Sequence, residues 1–303
     1  MNAFKNKRIF LIISLSVLWV FPYCKESKNE SQDVLALLSF LQSNPSSPEP
    51  QGPQNPQNPT VEPPCPSQWR FQNVYLANKI TEAPGSTGEG FKDSRKAING
   101  ICGCGKLCGS LDVYSLQSSA TTDYCEPNEK CVVLEWEGKK VKNTQGIDFV
   151  VFENGFCYNS ESNCGVSHFM EPMFVEVSVD GNAWCGWNPQ YIGDNTQASL
   201  TNPNNWLRFA GVEPVVFHQE KWQLSEQDIF DKTKAGGDGF DLLDPNFGNS
   251  GENCTTTLKS QIQSDGFVYL RLTFVGSRGF SVHNSFDGTA DVDGVVAREV
   301  GTR

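Results

Sequence analysis

At 303 residues, 38% hydrophobic and 19% charged, with 27 glycines and 17 prolines, the chain suits a loop-rich β protein better than a helical one. Its 24 basic and 35 acidic residues leave a net charge of −11, which repels phosphate backbones and anionic lipid surfaces and argues against nucleic acid as a partner. Eleven cysteines point to an oxidising compartment.

Residues 1–23 read as a secretion signal: Lys5, Lys7 and Arg8 precede an apolar run, 9–21, that is too short to span a bilayer. The run ends at Phe21-Pro22-Tyr23-Cys24, and polar residues follow. Cys24 in this setting resembles the lipid-attachment cysteine of bacterial lipoproteins. That resemblance implies export and a lipid anchor in the outer membrane, with the folded part facing the surface. Removing the leader takes away three bases and no acid, so 21 basic residues face 35 acidic ones and the mature chain favours cations. Residues 32–41 fit a short amphipathic helix or a weakly ordered tether. Nine of the 17 prolines lie between positions 42 and 66, and such a stretch takes extended polyproline geometry at ~3.1 Å per residue. Residues 24–64 are therefore expected to be tether and linker, with one domain over 65–303.

From there short strand-like runs recur between turn signals, at 69–76, 111–116, 131–137, 147–153, 174–179, 206–210, 267–275 and 292–298. Within 174–184, FVEVSVDGNAW, Val175, Val177 and Val179 alternate with Glu176 and Ser178, which predicts a strand apolar on one face and wet on the other. Asp180-Gly181-Asn182 then forms a turn and sends Trp184 back over the sheet edge. In 267–275, Leu270, Leu272 and Phe274 oppose Arg271 and Thr273, so that strand too should be wet on one side. Eight strands and almost no amphipathic helix give an all-β fold, a jelly-roll-like β-sandwich, with loops at 157–170, 186–205 and 245–263.

Setting Cys24 aside for lipid leaves ten cysteines, enough to pair completely. In an exported chain they read as a disulfide framework, and the close pairs Cys125/Cys131 and Cys157/Cys164 each suit one loop staple. The competing reading is a thiolate metal site at Cys102, Cys104 and Cys108, although the usual C-x2-C spacing and a nearby histidine are missing.

Glycine-rich acidic turns are the first candidate for chemistry. Calcium takes six to eight hard oxygens from carboxylates and carbonyls, and Glu153, Asp238, Asp241 and Asp293 are the best ligands for a composite structural calcium site; solvated turn acids are the bland alternative. An EF-hand is excluded, because Val300 falls where its bidentate glutamate is needed. FENGF (152–156), VEVSVDGNAW (175–184), AGGDGFDL (235–242) and DVDGVVAR (291–298) occur in an order that resembles a group of exported bacterial surface β-sandwich proteins, spirochaete lipoproteins among them; the central hairpin resembles that of discoidin-like jelly rolls. The resemblance implies architecture and location without a reaction. That group often has Ala where Gly239 and Gly294 stand here.

Among the aromatics, Trp187, Trp206 and Tyr191 sit in or beside loops, where flat rings suit sugar faces, while packing under long loops is the competing role. Catalysis has little support. His168, His218 and His283 are the only histidines, no nucleophile elbow or nucleotide loop is present, and the thiols are expected to be oxidised. A glycosidase-type carboxylate pair needs a spatial separation that sequence does not reveal. The resulting expectation is a non-enzymatic binding or adhesion module for a glycan or for a host or envelope protein, with a purely structural envelope protein as the alternative.

Overall fold

The computed structural model describes residue 65 and residues 68–118, 125, 128–158, 160–221, 223–283 and 288–303. The leader, Cys24, the tether and the proline-rich stretch lie outside the described residues. The strands, in chain order, are β1 (Tyr75–Leu76), β2 (Lys79–Glu82), β3 (Tyr114–Ser115), β4 (Cys131–Glu135), β5 (Lys139–Val141) and β6 (Phe149–Glu153). They continue with β7 (Phe156–Cys157), β8 (His168–Phe169), β9 (Met173–Ser178), β10 (Cys185–Gly186), β11 (Gln190–Tyr191) and β12 (Trp206–Leu207). The last are β13 (Asp238–Phe240), β14 (Tyr269–Phe274), β15 (Asp291–Ala297) and β16 (Val300–Thr302). Among the described residues they are accompanied by two α-helices, α1 (Gln197–Leu200) and α2 (Thr256–Asp265).

The protein is all-β and antiparallel. One five-stranded sheet runs β1-β15-β6-β13 with β3 also on β15, a second runs β10-β9-β14-β4-β2, and three two-stranded ribbons join β11 to β12, β16 to β5 and β7 to β8. Side chains from both large sheets enter one continuous apolar cluster: Phe149, Val151 and Val295 from the first, and Leu134, Val177 and Leu272 from the second. A second cluster covers the other face of the first sheet, where Val150, Phe152 and Val296 meet Val215, Phe217 and Ile229. Among the described residues no helix is long and apolar enough to cross a membrane.

The period-two reading of β9 and β14 holds, but their polar faces are not wet. Glu176 and Arg271 are buried, and Ser178 and Thr273 are fully so. Trp184 and the Cys125–Cys131 loop cover part of this face. After the Asp180-Gly181-Asn182 turn, in which Asp180 Oδ1 accepts from Asn182 N at 2.9 Å, the hairpin sets Cys185 opposite Val177. Trp184 then packs with Cys125, Cys131 and Val133 over the second sheet, and the Arg271 guanidinium lies 4.5 Å from its ring centre. The one-sided pattern reports which face is apolar and does not report what covers the polar face.

Other expectations need correction. The runs at 69–76, 111–116 and 206–210 shrink to two-residue strands, and the segment expected as loop, 245–263, contains most of α2. That helix has a local signal: Thr255 caps it by accepting from Leu258 N at 3.1 Å, Leu258 and Ile262 are buried one turn apart, and Gly266 follows at φ 90°. All ten cysteines in the domain pair, as Cys65–Cys102, Cys104–Cys108, Cys125–Cys131, Cys157–Cys164 and Cys185–Cys254. The thiolate metal reading of Cys102, Cys104 and Cys108 is thereby overturned.

Candidate functional site

The site is built where β13 joins the edge of the first sheet. Asp238 pairs with Val151 and Phe240 with Phe149, so residues leading into β13 must turn sharply beside the segment 211–217. Gly236 and Gly237 make the turn at φ 73° and 72°, and a Cβ on Gly236 would stand 1.8 Å from the Pro214 carbonyl oxygen. Only glycine fits there. The approach lets Asp238 Oδ2 accept from Val212 N at 2.9 Å and Glu213 N at 3.3 Å, which fastens the loop to the sheet edge.

Between that loop and the turn after β13 lies a cleft of about 550 Å³, within the usual size of small-ligand sites. Its polar groups include Asn204, Glu213, Lys232, Asp238, Asp241 and Asp244. Lys232 Nζ stands 2.6 Å from Glu213 Oε1. Removal from water, reinforced by the Glu213 charge and opposed by the two amides, pushes the Asp238 carboxyl up to about 7. Asp241 accepts from Leu243 N at 2.7 Å, and Asp244 accepts from Asn246 N at 2.6 Å.

The structure brings two of the expected aromatics to this cleft without presenting their faces. Trp187 is 1% exposed and Trp206 3% exposed. The Trp187 indole N–H donates to Asp241 O at 2.8 Å, and its ring packs against Phe149, Phe240 and Phe247. Tyr191 lies 4.4 Å from Trp206 between ring centres and donates its hydroxyl to Ser199. Trp187 and Trp206 thus line the cleft as buried side chains, and their burial leaves no open stacking platform on them. Trp222, another ring in the sequence, lies outside the described residues.

The four expected calcium ligands are not gathered. Asp238 and Asp241 line the cleft, but Glu153 and Asp293 sit on opposite faces of the first sheet. By strand alternation Glu153 shares the face of Val151, in the main core. Asp293, at a bulge between Val292 and Gly294, instead accepts from Cys102 N at 3.0 Å. Among the described residues the only three His, Cys, Asp or Glu side chains with ligand atoms within 4.8 Å of one another are Cys65, Cys102 and Asp112, and those two sulfurs are bonded to each other. At the bulge a Cβ on Gly294 would stand 2.7 Å from Ile101 Cδ1 and 3.2 Å from Leu76 Cδ1, so a larger residue there needs those side chains to shift.

His168 was legible only as one of three histidines, with no signal for its role. It is 2% exposed and accepts at Nε2 from Gly165 N at 3.1 Å. Nε2 therefore carries no proton, and Nδ1–H donates to Val212 O at 2.7 Å. Burial lowers its pKa from the ordinary 6.5. A base depressed in the folded state contributes stability that is intact above the unfolded value and lost as pH falls from there through the folded one. Long-range ¹⁵N NMR of the rings should find His168 neutral, with the proton on Nδ1, at pH values where an exposed histidine is already half charged.

The cleft is lined from β12, β13, the loop between them and residues near 147, 165, 187 and 203, segments distant in sequence that the two glycines and Asp238 help to draw together. No protein-family model matches the chain, nor does any curated protein or any solved structure.

Proposed function

We propose that the chain is an exported bacterial lipoprotein, anchored through Cys24 to the outer membrane and facing the surface, whose jelly-roll-like β-sandwich binds a glycan in the cleft beside β13. The cleft carries this reading: four carboxylates, those of Glu213, Asp238, Asp241 and Asp244, are among its lining side chains and suit the hydroxyl and amino groups of a sugar, which are donors. The leader, the tether and the excess of acids agree with export and with a ligand that is neutral or cationic. No catalytic step belongs to the reading, since the Asp238 carboxylate holds the 211–213 loop through two amides.

A second reading rests on one observation, the burial of Trp187 and Trp206: a structural envelope protein without a soluble ligand would show the same buried rings and the same locally bonded turn acids. A panel of defined oligosaccharides, including glucosamine-containing ones, titrated calorimetrically into the full chain separates the two. The binding reading expects at least one ligand, with Asp244→Asn weakening it about tenfold through loss of one charge-assisted hydrogen bond and leaving the melting temperature unchanged. A panel without a single binder sinks it and leaves the structural reading, or a protein partner, in its place.

A further inference from the structure

Buried acids in this fold are neutralised in one region and left bare in another. In the second sheet Glu176 meets Arg271 at 3.0 Å and Arg278 at 2.9 Å, and Glu135 meets Lys79 at 2.6 Å. Glu153 has no such partner among the described residues. It is 1% exposed, its Oε1 accepts from Asp291 N at a long 3.3 Å, and its Oε2 has no hydrogen-bond partner among the described residues. The charges acting on it are those of Glu171, Asp291 and Asp238, all of them acids.

Two backbone carbonyl oxygens lie near the same side chain. It lies between Gly155 and Gly211: a Cβ on Gly155 would stand 3.5 Å from Glu153 Oε2 and 3.0 Å from the Glu213 carbonyl oxygen. One on Gly211 would stand 3.3 Å from Glu153 Cγ and 2.5 Å from the Glu171 carbonyl oxygen. An unpaired buried carboxylate among acids is costly to hold, and calcium is the cation whose ligands are carboxylate and carbonyl oxygens in irregular geometry. No three acidic side chains here gather their oxygens within 4.8 Å, so backbone carbonyls must supply part of the sphere.

We infer that Glu153 anchors a bound calcium ion completed by oxygens of Glu171, Asp291 and the Glu213 backbone. The ion ties the end of β6 to the segments at 171 and 211–213. It stands independently of the glycan reading, since it uses the Glu213 backbone carbonyl and none of the carboxylates that line the cleft.

The test uses the oxidised full chain, freed of metal by chelator, with calcium chloride as the probe. Calorimetry should give one calcium per chain, and the unfolding midpoint should rise by several degrees at millimolar calcium. Glu153→Gln should abolish both responses while unfolding in chelator at or above the wild-type midpoint, because the isosteric amide removes the uncompensated charge. Should Glu153→Gln fail to fold, Glu171→Gln decides, and it must weaken the calcium response at least severalfold. A wild type that takes up no calcium, or a response that survives in these variants, overturns the inference and leaves a proton as what neutralises Glu153.

Discussion

Replacing Arg271 by Ala should lower the unfolding free energy by about 3 to 5 kcal/mol, the range for removing one partner of a buried ion pair. Arg271 stands on β14, the central strand of its sheet, with its side chain 4% exposed. Its Nε and Nη2 both reach Glu176 Oε2, at 3.1 and 3.0 Å, and its guanidinium covers Trp184. Arg278 shares Glu176 and also holds Glu129 at 2.7 Å. The substitution leaves Glu176 buried with half its compensation and opens a void beneath Trp184. Denaturant unfolding measures the loss; a change below about 1 kcal/mol would mean that the network is solvated and contributes as little as a surface pair. Because the residues touch, Arg271→Ala with Glu176→Gln should cost less than the sum of the two single changes.

Removing the Cys185–Cys254 bridge, by Ser at both positions, should cost about 4 kcal/mol from chain entropy alone, since 69 residues separate the two ends. The bridge fastens the edge strand β10 to the segment preceding α2, beside the backbone pairings Gly186 N to Ser250 O at 2.8 Å and Trp184 N to Glu252 O at 2.7 Å. The Cys104–Cys108 bridge closes a separation of only 4, and the same relation gives about 2 kcal/mol for it. Equal losses on cutting the two would show that loop length does not set their contributions, and that the unfolded chain keeps structure around one of them.

Legibility in the sequence tracked how local each signal is. The apolar alternation of β9 and β14 placed both strands within a residue or two, because period two is a property of neighbouring residues. Loop-closing pairs such as Cys125–Cys131 were legible for the same reason, whereas Cys185–Cys254 has no local mark at all. The polar faces of those strands read as wet, since nothing in Glu176 or Arg271 announces that Trp184 and a disulfide loop will cover them. Short strands such as β13 look like turns in the sequence: Gly236, Gly237 and Gly239 suit a loop, and only pairing with β6 makes the segment a sheet edge. The acids were found as candidates one by one, but sequence spacing carries no information on which face of β6 or β15 each would occupy once a bulge at Asp293 shifts the register. Glu171 showed no motif; its place near Glu153 is visible only after the fold forms.

Amide chemical shifts of the ¹⁵N-labelled full chain, followed while a binding oligosaccharide from the panel is added, test the cleft most directly. Saturable shifts confined to residues 203–213 and 237–244 are expected, with Asp241 and Asp244 moving most and the second sheet unmoved. Shifts centred elsewhere, or none at saturating sugar, would contradict the cleft as the place where this protein meets its ligand.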